Sequence, residues 1–213
     1  MSKEIKIIFS IAAVVLIGGG LLYFFQPAAL APSNSIDGTK LVRTGSHMTG
    51  SVTATVTVVE FADYECPACK AAAPNLSKLR AEYKDNPSVN FVFRHFPLPQ
   101  HSKALAGATA AEAAAKQGKF WEMTDAIYEM QDAWVGNSDE QVVFIQLATD
   151  LGLSIDQFKK DNNEIVYSEI IAADKADGES LGVNSTPSIF INGDKASNYS
   201  YEYLKTRIDE KLK

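Results

Sequence analysis

The stretch "VTVVEFADYECPACKAAAPNL", residues 56–76, constrains the fold more than any other. A β-branched run of strand length passes into an alanine-rich helical segment, and the junction carries both cysteines of the chain, Cys66 and Cys69. A second β-rich run, "SVNFVFRHF" at 88–96, follows the helical segment. Strand, helix and strand in that order predict a β-α-β unit and a parallel sheet.

Pro67 directly after Cys66 places the first cysteine at a helix N-cap, because proline is favoured at the first helical position. Unpaired backbone N–H groups and the positive end of the helix dipole stabilise an anion there, so the Cys66 thiol is expected to be acidic. Cys69 lies one helical turn on, within reach of a disulfide with Cys66. A structural staple across so short a loop stabilises little. A zinc site needs about four ligands, and His47, His95 and His101 show no pairing at knuckle spacing, so no metal site is expected. A redox pair is the favoured reading, with Ala68 completing the active-site dipeptide.

Glu60 interrupts the apolar strand before the cysteines and shares parity with Val56 and Val58. On a strand covered on both faces it should be desolvated, its pKa raised, and able to exchange a proton with Cys69. The alternative is a strand-end glutamate that reaches solvent.

Alanine-rich sequence over 102–117 stops at Gly118, and Phe120, Met123, Ile127, Met130 and Trp134 recur at helical spacing. Ser138 with Gln141 and Ser154 with Gln157 fit helix-start capping boxes. A further helix is expected over about 163–181, then a strand in "PSIFING" and a closing helix bearing Tyr201, Leu204, Ile208 and Leu212. His95, His101, Phe120, Trp121 and Trp134 are read as strand-end, helix-start and packing residues. The expected architecture is α/β, its sheet split by a helical insertion at about 100–182.

Residues 7–25 are uncharged and long enough, at about 1.5 Å per residue, to cross a bilayer of roughly 30 Å. Lys3 and Lys6 precede them, so residues 1–6 are expected in the cytoplasm and the domain outside it. The segment reads as a single-pass anchor; the alternative is a signal peptide cleaved after Ala29-Leu30-Ala31. Residues 26–50 read as a tether and 51–213 as the domain. "GSHM" at 45–48 resembles a vector scar but is read as native, since it lies inside continuous sequence. A net charge of −6 without a basic stripe excludes general nucleic-acid binding.

"VVEFADYECPAC", "FVFRHFPL", "KFWEM" and "STPSIFING", in that order over roughly residues 40–212, resemble the DsbA-like thiol:disulfide oxidoreductases of the thioredoxin superfamily, in their membrane-tethered bacterial form. The resemblance implies a thioredoxin fold with an inserted helical domain, a redox-active Cys66–Cys69 disulfide, Cys66 as exposed nucleophile and Cys69 as buried resolving thiol. It assigns Glu60 to the family's buried acid, Pro187 to the cis-proline beside the disulfide, and Thr186 to the residue whose backbone pairs with a substrate chain. It also implies reduced secreted or cell-envelope proteins as substrates and a quinone-linked membrane oxidase of the DsbB or VKOR type as partner, with no cofactor in the chain. The Pro67-Ala68 dipeptide departs from the Pro-His of strongly oxidising members and implies a milder oxidant. Rival readings are a reductase or isomerase kept reduced by a membrane electron carrier, and a non-catalytic peptide-binding or chaperone module.

Overall fold

The computed structural model describes residues 41–162 and 166–213. The expected anchor or signal peptide at 7–25 and the cytoplasmic N-terminus at 1–6 lie outside the described residues. Among the described residues no helix is long and apolar enough to cross a membrane.

The element order is β1 (His47–Thr49), β2 (Val56–Ala62), α1 (Pro67–Glu82), β3 (Val89–His95), α2 (Ala104–Ala115), α3 (Phe120–Glu129), α4 (Gln131–Val135), α5 (Glu140–Asp150), α6 (Ile155–Asn162), α7 (Val166–Ser180), β4 (Ser188–Ile191), β5 (Asp194–Lys195) and α8 (Tyr201–Lys211). The sheet order is β1-β3-β2-β4-β5. β2 and β3 pair in parallel, with Glu60 opposite Phe93, as a β-α-β unit requires. On its other side β2 meets β4 antiparallel, with Glu60 opposite Ile189, so the sheet is mixed. This is the thioredoxin arrangement, and α2 to α7 form the helical insertion between β3 and β4.

Both faces of β2 are covered, which its near-continuous apolar run requires. Val56 and Val58 pack under Leu76 and Leu79 of α1 and Leu204 and Ile208 of α8. On the other face Val59 and Phe61 lie beside Val92 and Phe190 of the neighbouring strands and cluster with Leu41, Phe96 and Val183 from outside the sheet. The insertion has its own core around Trp134, Phe144 and Phe158, continuous with Tyr64 and both cysteines. The contact between the insertion and the active-site loop is sealed by a small residue: a Cβ on Gly107 of α2 would lie 2.7 Å from Tyr64 Cβ.

Several boundaries differ from the sequence expectation. The domain does not begin at residue 51: Leu41 is buried, and His47–Thr49 is an edge strand antiparallel to β3. The apolar run from Phe120 to Trp134 breaks at Met130 into α3 and α4. Helix α5 is capped by Asp139, whose carboxylate accepts from Gln141 N–H at 3.1 Å, and not by Ser138. Ser154 does accept from Gln157 N–H, at 3.4 Å.

A buried ionic network ties the insertion to the sheet. The Arg94 guanidinium, fully enclosed on β3, donates to Asp174 Oδ1 (2.8 Å) and Asp177 Oδ2 (2.5 Å) on α7 and to the Leu41 carbonyl (2.6 Å). Asp174 Oδ2 also accepts from His95 N–H, so both of its oxygens are used.

Candidate active site

Cys66 is the N-cap of α1, with extended backbone (φ −71°, ψ 122°), and Pro67 fills the first turn. Both cysteines are free thiols, Cys66 7% exposed and Cys69 fully enclosed. A hydrogen bond from the Cys69 thiol is the largest influence on Cys66. With the lowering influence of the Thr186 side chain and bonds from the backbone at Cys69 and Ala68, it outweighs burial and holds the Cys66 thiol down at about 5. Cys69 is pushed far above the ordinary thiol range, first by burial and then by the same hydrogen bond, with the Glu60 charge adding to both. One cysteine is therefore a thiolate at neutral pH and the other is protonated, as a nucleophile and its resolving partner require.

Three groups outside the motif fix the loop that presents Cys66. The enclosed Asp63 carboxylate accepts from Glu65 N–H (2.8 Å), Leu98 N–H (2.7 Å) and His101 Nδ1 (2.7 Å). From α4, Gln131 Nε2 donates to the carbonyls of Tyr64 (2.7 Å) and Cys66 (3.1 Å). The Tyr64 hydroxyl and Thr124 Oγ1 lie 2.8 Å apart.

The Thr186–Pro187 peptide is cis and faces the helix N-terminus. Cys66 Sγ lies 3.5 Å from the Thr186 carbonyl oxygen, to which it donates when protonated. Ala68, Thr186, Pro187, Ile189, Asn198 and Tyr199 line a shallow open groove of about 340 Å³ beside the sulfur.

Glu60 lies behind the cysteines, 7% exposed, and its Oε1 has no hydrogen-bond partner among the described residues. Burial lifts its carboxyl to about 7, with the Arg80 charge opposing and the Asp125 charge adding. It does not reach solvent as a strand-end glutamate would. Arg80 and Asp125 form an ion pair between α1 and α3, and Arg80 stacks over Trp121 at 4.6 Å. Beside them a cleft of about 400 Å³, lined by Lys70, Pro74, Ser77, Asp125 and Tyr128, opens along α1. The Tyr128 hydroxyl, close enough to Cys69 and Glu60 to feel both charges, is buried and also lacks a partner among the described residues.

All seven sequence-predicted positions, Glu60, Cys66, Pro67, Ala68, Cys69, Thr186 and Pro187, thus converge on one site. Sequence reasoning missed Asp63, Gln131 and Tyr128, which reach the site through contacts distant along the chain. It also missed a meeting of histidines. His47 and His95, unpaired along the sequence, both bring Nε2 onto Glu112 Oε1, at 2.7 and 2.8 Å.

A family model described as thioredoxin matches residues 43–210. A crystal structure of a variant of α-DsbA1 from Wolbachia pipientis superposes with a TM-score of 0.70 at 25% identity, covering 82% of this chain and 95% of that one. The chain belongs to the thioredoxin superfamily, in its DsbA-like branch. A protein of Bacillus anthracis named probable disulfide bond formation protein D is 32% identical over 215 residues, 97% of this DsbA-like chain and 94% of that protein. The Na(+)/H(+) antiporter NhaA 1 of Mycolicibacterium vanbaalenii is 36% identical over 154 residues. That match takes in 69% of the DsbA-like chain but 23% of the antiporter, so the chain spans about a quarter of the length of the antiporter relatives it matches.

Proposed function

We propose that the chain is an extracytoplasmic thiol:disulfide oxidoreductase that donates the Cys66–Cys69 disulfide to reduced secreted or cell-envelope proteins. The observation that carries this reading is the split between the two thiols: Cys66 is acidic at a helix N-terminus, and Cys69 is buried and protonated beside an acid poised near neutrality.

In the oxidised enzyme a substrate thiolate attacks Cys66 Sγ and breaks the Cys66–Cys69 bond. Cys69 leaves with the electron pair and takes a proton, for which Glu60, with a pKa of about 7, is a buried source. A second substrate thiolate then attacks the substrate sulfur of the mixed disulfide. Cys66 departs as the stabilised thiolate, the substrate has lost two electrons, and the enzyme has gained them. During reoxidation Glu60 runs in reverse and accepts the Cys69 proton. The groove at Thr186 and Pro187 holds the substrate chain alongside the sulfur, through the Thr186 backbone just ahead of β4.

Acidity of the departing thiol sets the driving force. A Cys66 pKa near 5 lies between values of about 7 for thioredoxin and about 3.5 for DsbA. The potential is accordingly expected between about −270 and −120 mV. Ala68, which offers the thiolate a backbone bond but no charged side chain, accounts for the intermediate position. Recycling is assigned to a quinone-linked membrane oxidase of the DsbB or VKOR type, and anchoring to residues 7–25. The uncharged length of that segment supports the anchor. Equilibration with glutathione tests the direction of transfer: a potential within that window supports the oxidase, and one at or below the thioredoxin end contradicts it.

A further inference from the structure

His47 belongs to the edge strand β1, His95 ends β3, and Glu112 lies in α2 of the insertion. Their donor atoms all lie within 4.8 Å of one another. Glu112 and His95 are buried, while 21% of the His47 side chain remains exposed. We propose that His47, His95 and Glu112 bind one divalent transition-metal ion of the zinc type, with a fourth position open to water on the His47 side.

The donor set selects the ion. Two imidazoles and one carboxylate are a known zinc combination for sites that keep an open position, whereas calcium and magnesium require oxygen ligands throughout. No thiolate is involved, which separates this cluster from the Cys66–Cys69 pair.

Geometry requires little adjustment. Bonds of about 2.0–2.2 Å to a tetrahedral ion hold the donors roughly 3.0–3.5 Å apart. The two N···O separations are 2.7 and 2.8 Å and open by on the order of half an ångström to admit the ion, while the two imidazole nitrogens, within 4.8 Å of each other, close to the same spacing. Both rings now contact Glu112 through Nε2; on binding, each ring proton moves from Nε2 to Nδ1 and the Nε2 lone pair goes to the metal. His95 Nδ1, which then carries the proton, is buried with no hydrogen-bond partner among the described residues, so a water is required to accept from it.

The surroundings suit a cation. Aromatic rings wall the inner side: His47 stacks on Phe120 with centroids 3.5 Å apart, and Phe93 and Tyr64 lie 5.3 and 6.0 Å from His95. Such an ion would clip the three-residue strand β1 and the insertion to the sheet, and ligand linkage would raise fold stability.

The test uses full-length protein in which Cys66→Ala and Cys69→Ala remove the competing thiols, titrated with zinc and with cobalt. One equivalent is expected to bind, zinc raising the unfolding temperature and chelation reversing it, with cobalt d–d bands free of sulfur charge-transfer absorption. His47→Gln, which preserves a hydrogen-bond donor toward Glu112, is expected to weaken binding by at least about a hundredfold, the scale of losing one ligand. Zinc-edge X-ray absorption on the loaded parent then reads the ligands directly, two imidazoles with the remaining donors oxygen. Absence of zinc binding in the thiol-free protein, unchanged affinity in His47→Gln, or a spectrum lacking imidazole overturns the proposal.

Discussion

Cys66 Sγ lies 3.5 Å from the Thr186 carbonyl oxygen, so the nucleophile at the start of α1 is in direct contact with the residue before the cis-proline, 120 positions on. The same residue lowers the thiol's pKa through its side chain. Ultraviolet thiolate absorbance of the reduced protein should therefore titrate with a midpoint of about 5, and Thr186→Val should raise it. Because the folded pKa is below the ordinary thiol value of 9.0, Cys66 stabilises the reduced fold fully above that value. This contribution disappears as pH falls through about 5.

Glu60 has the opposite sign. Its folded pKa of about 7 lies above the ordinary 4.5, so between those values the unfolded chain gives up a proton that the native protein retains. Stability of the reduced protein should fall across that window by about 3 kcal/mol, at 1.36 kcal/mol per unit. Urea unfolding at a series of pH values should show this slope flattened in Glu60→Gln. Rapid-mixing kinetics of the same variant should show slower proton-coupled release of Cys69.

Gly107 holds the insertion against the active-site loop. A methyl group there meets Tyr64 Cβ at 2.7 Å, and Tyr64 is held by Gln131 and Thr124. Gly107→Ala should destabilise by about 1–3 kcal/mol through overpacking. Thermal unfolding checks the magnitude, and the Cys66 titration shows whether the shift reaches the sulfur.

Arg94 is enclosed with Asp174 and Asp177 beside it. Asp174 keeps Arg43 and the His95 N–H and Asp177 is partly exposed, so Arg94→Ala should cost about 1.5–3 kcal/mol through lost charge-assisted bonds and loosen α7 from β3. Hydrogen exchange should show lost protection in α7 before the sheet opens.

Local signals made much of this fold legible. The β-branched strand, Pro67 behind Cys66 and the glycine-terminated helices each carry their information within a few residues, and they predicted the β-α-β unit, the cysteine pair and the insertion. Glu60 was legible because a charge breaks an apolar run. A three-residue edge strand such as β1 has no periodicity, which is why His47 read as part of a tether. Asp63, Gln131 and the His47–His95–Glu112 cluster depend on contacts tens of residues apart, and no spacing rule reports those. The antiparallel pairing of β4 was hidden for the same reason, since direction is set by how the insertion returns the chain.

The central claim is that Cys66 exchanges with substrate thiols and Cys69 resolves the product. The most direct measurement is trapping with Cys69→Ala, expressed in cells of the source type and analysed by mass spectrometry without reduction. The account predicts accumulated mixed disulfides joining Cys66 to secreted or envelope proteins and to a membrane oxidase, all lost when Cys66→Ala is added. Absence of Cys66-linked adducts, with the variant folded and present in the cell, would contradict it.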